Sequence, residues 1–400
     1  MRFPLPTSTP RVALQVAKLI LIAVVVTAGS ANAVTSGSWR FAGFMLHPRY
    51  GHTATLLKDG TVLIVGGVDT WPTPVGEAEL FDPHSGAFLP AGRMFAPRWG
   101  HASVLLKDGR VLIVGGYSKP RDSSIDLALE ATAEIFDPAT RTFARAAQLP
   151  SDQTRWVASL IALPDGGALL LGGRCSGQFE RFDPTASSFT PDAYTPFQQF
   201  VPPVVTASGR LILAGGGSCT GRGEFSTTMI SSSDDYGENL STIGQLNDSR
   251  MFHKATSFGG EQLLVAGGFA RDFNPQMQAG TLASAEVVDA ATGMSRRVGS
   301  LNQARSGHSA APLKNGEVLL TGGESAVNGS NQVLSSTEIY DPVRETFHFV
   351  GSLNVARISA PLVVTADGRI FILGGSTDVG AVSSAEEFIP YPTRRRASKP

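Results

Sequence analysis

The sequence predicts an all-β fold, a β-propeller ring of seven four-stranded antiparallel blades, and three observations predict it. A hairpin-like unit, Arg49 to Gly67 (RYGHTATLLKDGTVLIVGG), recurs to the C-terminus. Each copy closes on a glycine pair, at 66–67, 115–116, 172–173, 215–216, 267–268, 322–323 and 374–375, in steps of 49, 57, 43, 52, 55 and 52 residues. An acidic segment then follows in six copies: AELFDP at 78–83, AEIFDP at 133–138, FERFDP at 179–184, AEVVDA at 285–290, TEIYDP at 337–342 and AEEFIP at 385–390. A unit of about 50 residues cannot bury both of its faces alone, so seven of them must stack on one another.

Within a unit the elements follow from residue type. Thr53 to Leu57 and Thr61 to Val65 are β-branched and aliphatic, hence strands, and Lys58-Asp59-Gly60 between them is a tight turn. Gly66-Gly67 ends the second strand, the acidic segment is the third, and a fourth starts on an aromatic, as at Phe88, Phe143, Phe189 and Phe347. Residues 38–48, SWRFAGFMLHP, repeat the same spacing: Trp39 stands ten residues before Arg49, as Phe88 stands before Arg98. They form a fourth strand without the first three, whereas 357–389 supply three strands without a fourth. The N-terminal strand is therefore expected to complete the last blade and close the ring, protecting both edges.

The Arg-x-Gly-His opening, the double glycine, the Glu-x-Phe-Asp-Pro strand and the late aromatic together resemble the kelch-repeat β-propeller family over roughly residues 38–390. The resemblance is specific for fold and weak for function. Peptide-binding kelch domains use positions like the repeat-opening arginines for acidic ligands. Galactose oxidase and its relatives, secreted enzymes with a similar propeller, use copper held by histidines and tyrosines, one tyrosine being cross-linked to a cysteine. This sequence departs from that pattern: it has no adjacent Tyr-His pair, and its tyrosines at 50, 117, 194, 236, 340 and 391 lack the matching context. Another branch of exported kelch proteins has a sialic-acid mutarotase-like activity, in which a glutamate or arginine would move a proton at an anomeric centre. No local motif here singles one out.

Residues 1–33 read as a secretory signal, with Arg2, Arg11 and Lys18 charging the start ahead of a short apolar run, Leu19 to Ala28, and Ala31-Asn32-Ala33 as a small-x-small cleavage site. Residues 34–390 are then a single propeller, and 391–400 a short basic tail. Removing three basic residues from 33 leaves 30 against 34 acidic ones, about −4, which offers nothing to nucleic acid. Cys175 and Cys219 each follow a glycine pair in successive repeats, and in an exported protein a disulfide is the favoured reading, with two separate thiols as the alternative.

Strand-connecting loops of a meander alternate between the two faces of the disc. The first-to-second turns are short, as at Lys58-Asp59-Gly60 and Asn315-Gly316, whereas the second-to-third loops are long and unlike one another. Variable loops on a rigid scaffold are where binding usually resides, so the long-loop face is the expected site. Arg49, Arg98, Arg155, Arg250, Arg305 and Arg357 open six blades on that face, and Phe200 opens the fourth. They are candidate contacts for carboxylate or sulfate. Glu79, Glu134, Glu180, Glu286, Glu338 and Glu386 occur in the same six blades, and the fourth lacks both partners, which points instead to an ion pair inside each blade. His52, His101, His253 and His308 each lie three residues after an arginine. They join the candidate contact set, although equivalent positions around a ring are too far apart for one metal ion, and packing is the expected role.

The fourth blade is irregular between Gly217 and Arg250, where the third-strand acidic signature is missing. The expectation is an exported module binding an envelope or extracellular protein, an acidic peptide or a glycan, with no cofactor, no metal, no nucleic-acid partner and no membrane span after cleavage, and with a monomer favoured. The alternative is a carbohydrate-active enzyme, mutarotase-like or a galactose-oxidase-like copper oxidase.

Overall fold

The computed structural model describes residues 37–390 apart from 71–72, 119–129, 150–157, 174–177, 195–201, 221–222, 237–238, 272–279 and 328–329. These residues form strands and turns without a helix, and no helix among them is long and apolar enough to cross a membrane. Seven antiparallel sheets stand in sequence order, each carrying four blade strands. In the first blade the strands are Tyr50–Leu56, Val62–Thr70, Glu77–Phe81 and Phe88–Arg93.

The expected closure is present. Ser38–Phe44 pairs antiparallel with Ser384–Ile389, so the first strand among the described residues is the outermost strand of the seventh blade. Trp39 packs against Phe388, with ring centroids 5.3 Å apart, and its indole N–H donates to Thr337 Oγ1 of the sixth blade at 2.9 Å. Chain ends and blade seam are thereby joined by one strand.

The second strands explain why the blades stack. Val111–Val114, Ala168–Leu171, Leu211–Ala214 and Ile370–Leu373 are buried along their whole length, reading as unbroken apolar runs rather than as alternation. Side chains alternate between the two neighbours: Val62 and Ile64 join a cluster with Phe371 and Leu373 of the seventh blade, while Leu63 and Val65 join one with Val111 and Ile113 of the second. Seven such clusters occupy the seven seams. Each fully buried aliphatic side chain contributes about 1.5–3 kcal/mol, so the core is the set of seams rather than a single centre.

The glycine pairs sit where blades approach most closely. Gly66 has φ 66°, and a Cβ there would meet the Arg98 carbonyl oxygen and, at 2.5 Å, Cε1 of His101, both on the next blade. Its neighbour Gly67 donates its N–H to that same Arg98 carbonyl at 2.9 Å. Turn glycine Gly60, with φ 87°, has open space around it. Gly60→Ala should therefore cost only its conformational strain, about 1 kcal/mol, and Gly66→Ala should cost at least twice that in urea unfolding because a seam must open as well. Equal losses would contradict this account of the seam.

Candidate functional site

The long-loop face is built on one repeated cluster. In the first blade the Glu79 carboxylate accepts the backbone N–H groups of Leu46 (2.7 Å) and His47 (3.1 Å), which belong to the crossover entering that blade. Arg49 Nη2 meets the same carboxylate at 2.5 Å, and Nη1 donates to the carbonyls of Gly66 and Glu77, both at 3.0 Å. Those two carbonyls lie where the second and third strands part to form the loop, so the guanidinium supplies donors that the sheet no longer does. Glu134 holds Phe95 and Ala96 in the same way, Glu286 holds Asn247 and Asp248, Glu338 holds Asn302 and Gln303, and Glu386 holds Asn354 and Val355. Their arginines follow: Arg98–Glu134 at 3.1 Å, Arg250–Glu286 at 2.9 Å, Arg305–Glu338 at 2.8 Å, and Arg357 against Glu386.

All five of these arginines are at most 1% exposed. An external anion has no path to them without parting the crossover from the third strand. Burial pushes the Glu286 carboxyl up, but hydrogen bonds from the Asn247 backbone, Ser295 and the Asn247 side chain, with Arg250, hold it net below the usual range. Glu180 is fully buried at the equivalent place in the third blade. Its expected partner Arg155 lies outside the described residues, as do Phe200, Cys175, residues 1–33 and the basic tail. In the fourth blade Ser231 stands opposite Leu213, where the other blades put glutamate.

The four histidines lie in the seams. Cε1 of His101 faces Gly66, that of His253 faces Gly215, that of His308 faces Gly267 and that of His52 faces Gly374, always a glycine of the preceding blade. His101 Nε2 also meets Thr53 Oγ1 at 2.9 Å. Burial, reinforced by Arg98 and Arg49, pulls the His101 pKa down to about 3; burial and Arg250 do the same for His253. Burial likewise holds His52, beside Arg49, and His308, beside Arg305, well below the ordinary 6.5.

The opening residues of the innermost strands enclose an axial cavity of about 510 Å³ on this face. Tyr50, Trp99, Phe252, Lys254, Ser309 and Ser359 are among its lining residues. The third residue of the Arg-x-Gly-His opening is hydrogen-bonded between neighbouring blades at three places on the mouth: Gly100 N–H to Gly51 carbonyl at 2.8 Å, Gly307 to Phe252 at 3.0 Å and Ser359 to Gly307 at 3.2 Å. This position is left-handed in every blade where its φ is positive: Gly51 at 64°, Gly100 at 63°, Gly307 at 60°, and also Phe252 at 55° and Ser359 at 54°. Phe252 thus adopts a glycine conformation and carries a ring that is 40% exposed. Trp99 stacks on Tyr117 at 5.2 Å and lies over Gly51 of the preceding blade.

Phe252 and Lys254 escaped the reading by motif, which looked for residues that recur. The aligned openings expose both: Phe252 stands in a column that otherwise reads Gly51, Gly100, Val157, Pro202, Gly307 and Ser359, and Lys254 in one that otherwise reads Thr53, Ala102, Ser159, Val204, Ser309 and Pro361.

No known family profile matches the sequence, and no curated protein sequence matches it. Among solved structures the chain is similar to a fungal alcohol oxidase of the AA5 family in complex with copper, with a TM-score of 0.69 and 16% identity, over 89% of this chain and 77% of that one. At that identity the likeness concerns the propeller fold. Copper would need several nitrogen or oxygen ligands on one ion. Among the described residues no group of three or more His, Cys, Asp and Glu is placed to hold a metal, and the histidines are fixed at separate seams. The described residues do not fit the group.

The seam histidines set a pH dependence. In the unfolded chain they protonate near pH 6.5, whereas in the fold His101 and His253 do so only near 3. Unfolding therefore takes up protons: stability is complete above about pH 6.5 and is lost progressively as pH falls toward 3. Between pH 6 and 5 the urea-unfolding free energy should drop, by up to about 1.4 kcal/mol per pH unit for each histidine. His101→Gln should flatten that slope by one proton, and an unchanged free energy over this range would contradict the seam assignment.

Proposed function

We propose that this chain is an exported, kelch-type binding module that takes a glycan at the axial cavity of its long-loop face. The cavity volume falls within the 300–1,000 Å³ usual for small-ligand sites. Tyr50, Trp99 and Phe252 supply flat apolar surfaces suited to the C–H faces of a sugar, and Tyr50 and Trp99 add polar edges. The observation that carries the reading is Phe252. A non-glycine residue in the left-handed region costs about 1–2 kcal/mol; glycine holds that position in three other blades and the small Ser359 in a fourth, so Phe252 is the one large side chain described there in that conformation. Strain retained at a cavity mouth is a mark of function rather than of packing.

The five described arginines enter this reading as scaffold, since each is buried with its Nη1 and Nη2 groups engaged inside its blade. Oxidase chemistry like that of the fungal structure is not part of it, because the described donor set does not suit copper.

The reading is tested with the chain on a glycan array, followed by titration calorimetry of the strongest hits. Trp99→Ala should weaken binding at least tenfold with the fold retained. Phe252→Gly should unfold at higher denaturant, by up to about 1 kcal/mol, and bind more weakly. A Phe252→Gly variant that is less stable yet binds as well would place Phe252 in the scaffold and overturn the reading.

A further inference from the structure

Resting on the axial cavity as the binding site, we infer that its ligand is an acidic sugar whose carboxylate is held by Lys254. Lys254 opens the innermost strand Lys254–Gly259 of the fifth blade and lines the cavity two residues after Phe252. Its ammonium makes no hydrogen bond or ion pair with a described residue. Other cations of this face are different: Arg250 and Arg305, which flank it in sequence position on the fifth and sixth blades, are paired with Glu286 and Glu338.

The ring supplies an internal comparison. At the equivalent position the other six blades carry Thr53, Ala102, Ser159, Val204, Ser309 and Pro361, all uncharged. The blade architecture therefore does not require a cation there. A scaffold reason for Lys254 would have to be peculiar to one blade, and the fifth blade has the same arginine, glutamate and histidine as the first, second and sixth.

Charge complementarity identifies the ligand class. No aspartate or glutamate is among the described residues lining the cavity. The four imidazoles beside it are buried in the seams and uncharged at neutral pH, because burial holds them well below their usual range. The cavity thus carries one net positive charge, beside the hydroxyls of Tyr50, Ser159, Ser309 and Ser359. Lys254 is half-buried, and burial lowers its pKa, as expected of an ammonium that has lost part of its water without gaining a partner. A carboxylate on a sugar ring restores that partner, while the hydroxyls and aromatic rim take the rest of the ring. As a compact point charge with three rotatable donors, lysine accommodates a single carboxylate without demanding the planar fork that arginine prefers.

The test uses uronate-containing glycans and the same glycans after carboxyl reduction, which removes the charge and leaves the ring. Wild-type chain should bind the acidic forms at least tenfold more tightly than the reduced ones, with affinity falling as salt rises. Lys254→Met should abolish that discrimination while leaving denaturant stability unchanged or higher, and Lys254→Arg should restore part of it. Equal binding of reduced and unreduced glycans, exclusive binding of sulfated ones, or unaltered selectivity in Lys254→Met would overturn the inference. Trp99→Ala separates the two levels: if it abolishes binding that Lys254→Met leaves intact, the cavity stands and the carboxylate assignment falls. Binding indifferent to Trp99→Ala removes the cavity itself.

Discussion

Each blade begins with a stretch of chain that has just left the outer edge of its neighbour and must be held at the axis of the ring. In five blades a buried glutamate on the third strand does this by accepting two consecutive backbone N–H groups of the described crossover. A carboxylate stripped of water is costly unless its oxygens are filled. Here the two amides and an arginine fill them, and the arginine in turn serves carbonyls left open where the second and third strands separate. Removing any one partner strands the others in a dry interior, which explains why arginine and glutamate are present together or absent together. The fourth blade, with Ser231 in the glutamate position, has lost the charge from the arrangement altogether.

Repetition of this cluster makes the long-loop face a nearly symmetric platform, and symmetry has a functional consequence. Six equivalent arginines or four equivalent histidines could not specify a small asymmetric ligand. What distinguishes one sector of the axial cavity is departure from the repeat: Trp99 over Gly51, Phe252 in a glycine conformation, and Lys254 in an otherwise uncharged column. The seams set the positions of these residues, and the histidines wedged against neighbouring glycines keep the inner strands at fixed separation. Scaffold and site thus share the same few residues of each opening, with the arginine and histidine turned into the protein and the intervening positions turned to the axis.

Much of this was legible in the sequence because repetition is a local signal. Glycine pairs, turn glycines and β-branched runs mark strand ends one by one, and Trp39 at the spacing of Phe88 revealed how the ring closes. The linked occurrence of arginine and glutamate pointed to the ion pairs, but not to the crossover amides, because backbone groups leave no trace in side-chain patterns. The axial cavity was invisible for a different reason. It is assembled from residues about 50 positions apart that differ between blades, and a search for what recurs discards them. The expected anion surface on the arginines treated long-loop-face position as exposure, whereas the crossover covers those side chains entirely.

The central claim is that buried glutamates hold the crossovers as firmly as the sheet holds its strands. Native-state hydrogen exchange of the crossover amides of Phe95, Ala96, Asn302, Gln303, Asn354 and Val355 tests it most directly. If the claim is right, these loop amides exchange only through global unfolding, at the rate of the second-strand amides, while turn amides such as those of Asp59 and Asp108 exchange freely. Crossover amides that exchange like the turns would show that the carboxylates do not hold the chain, and that the ring depends on its apolar seams alone.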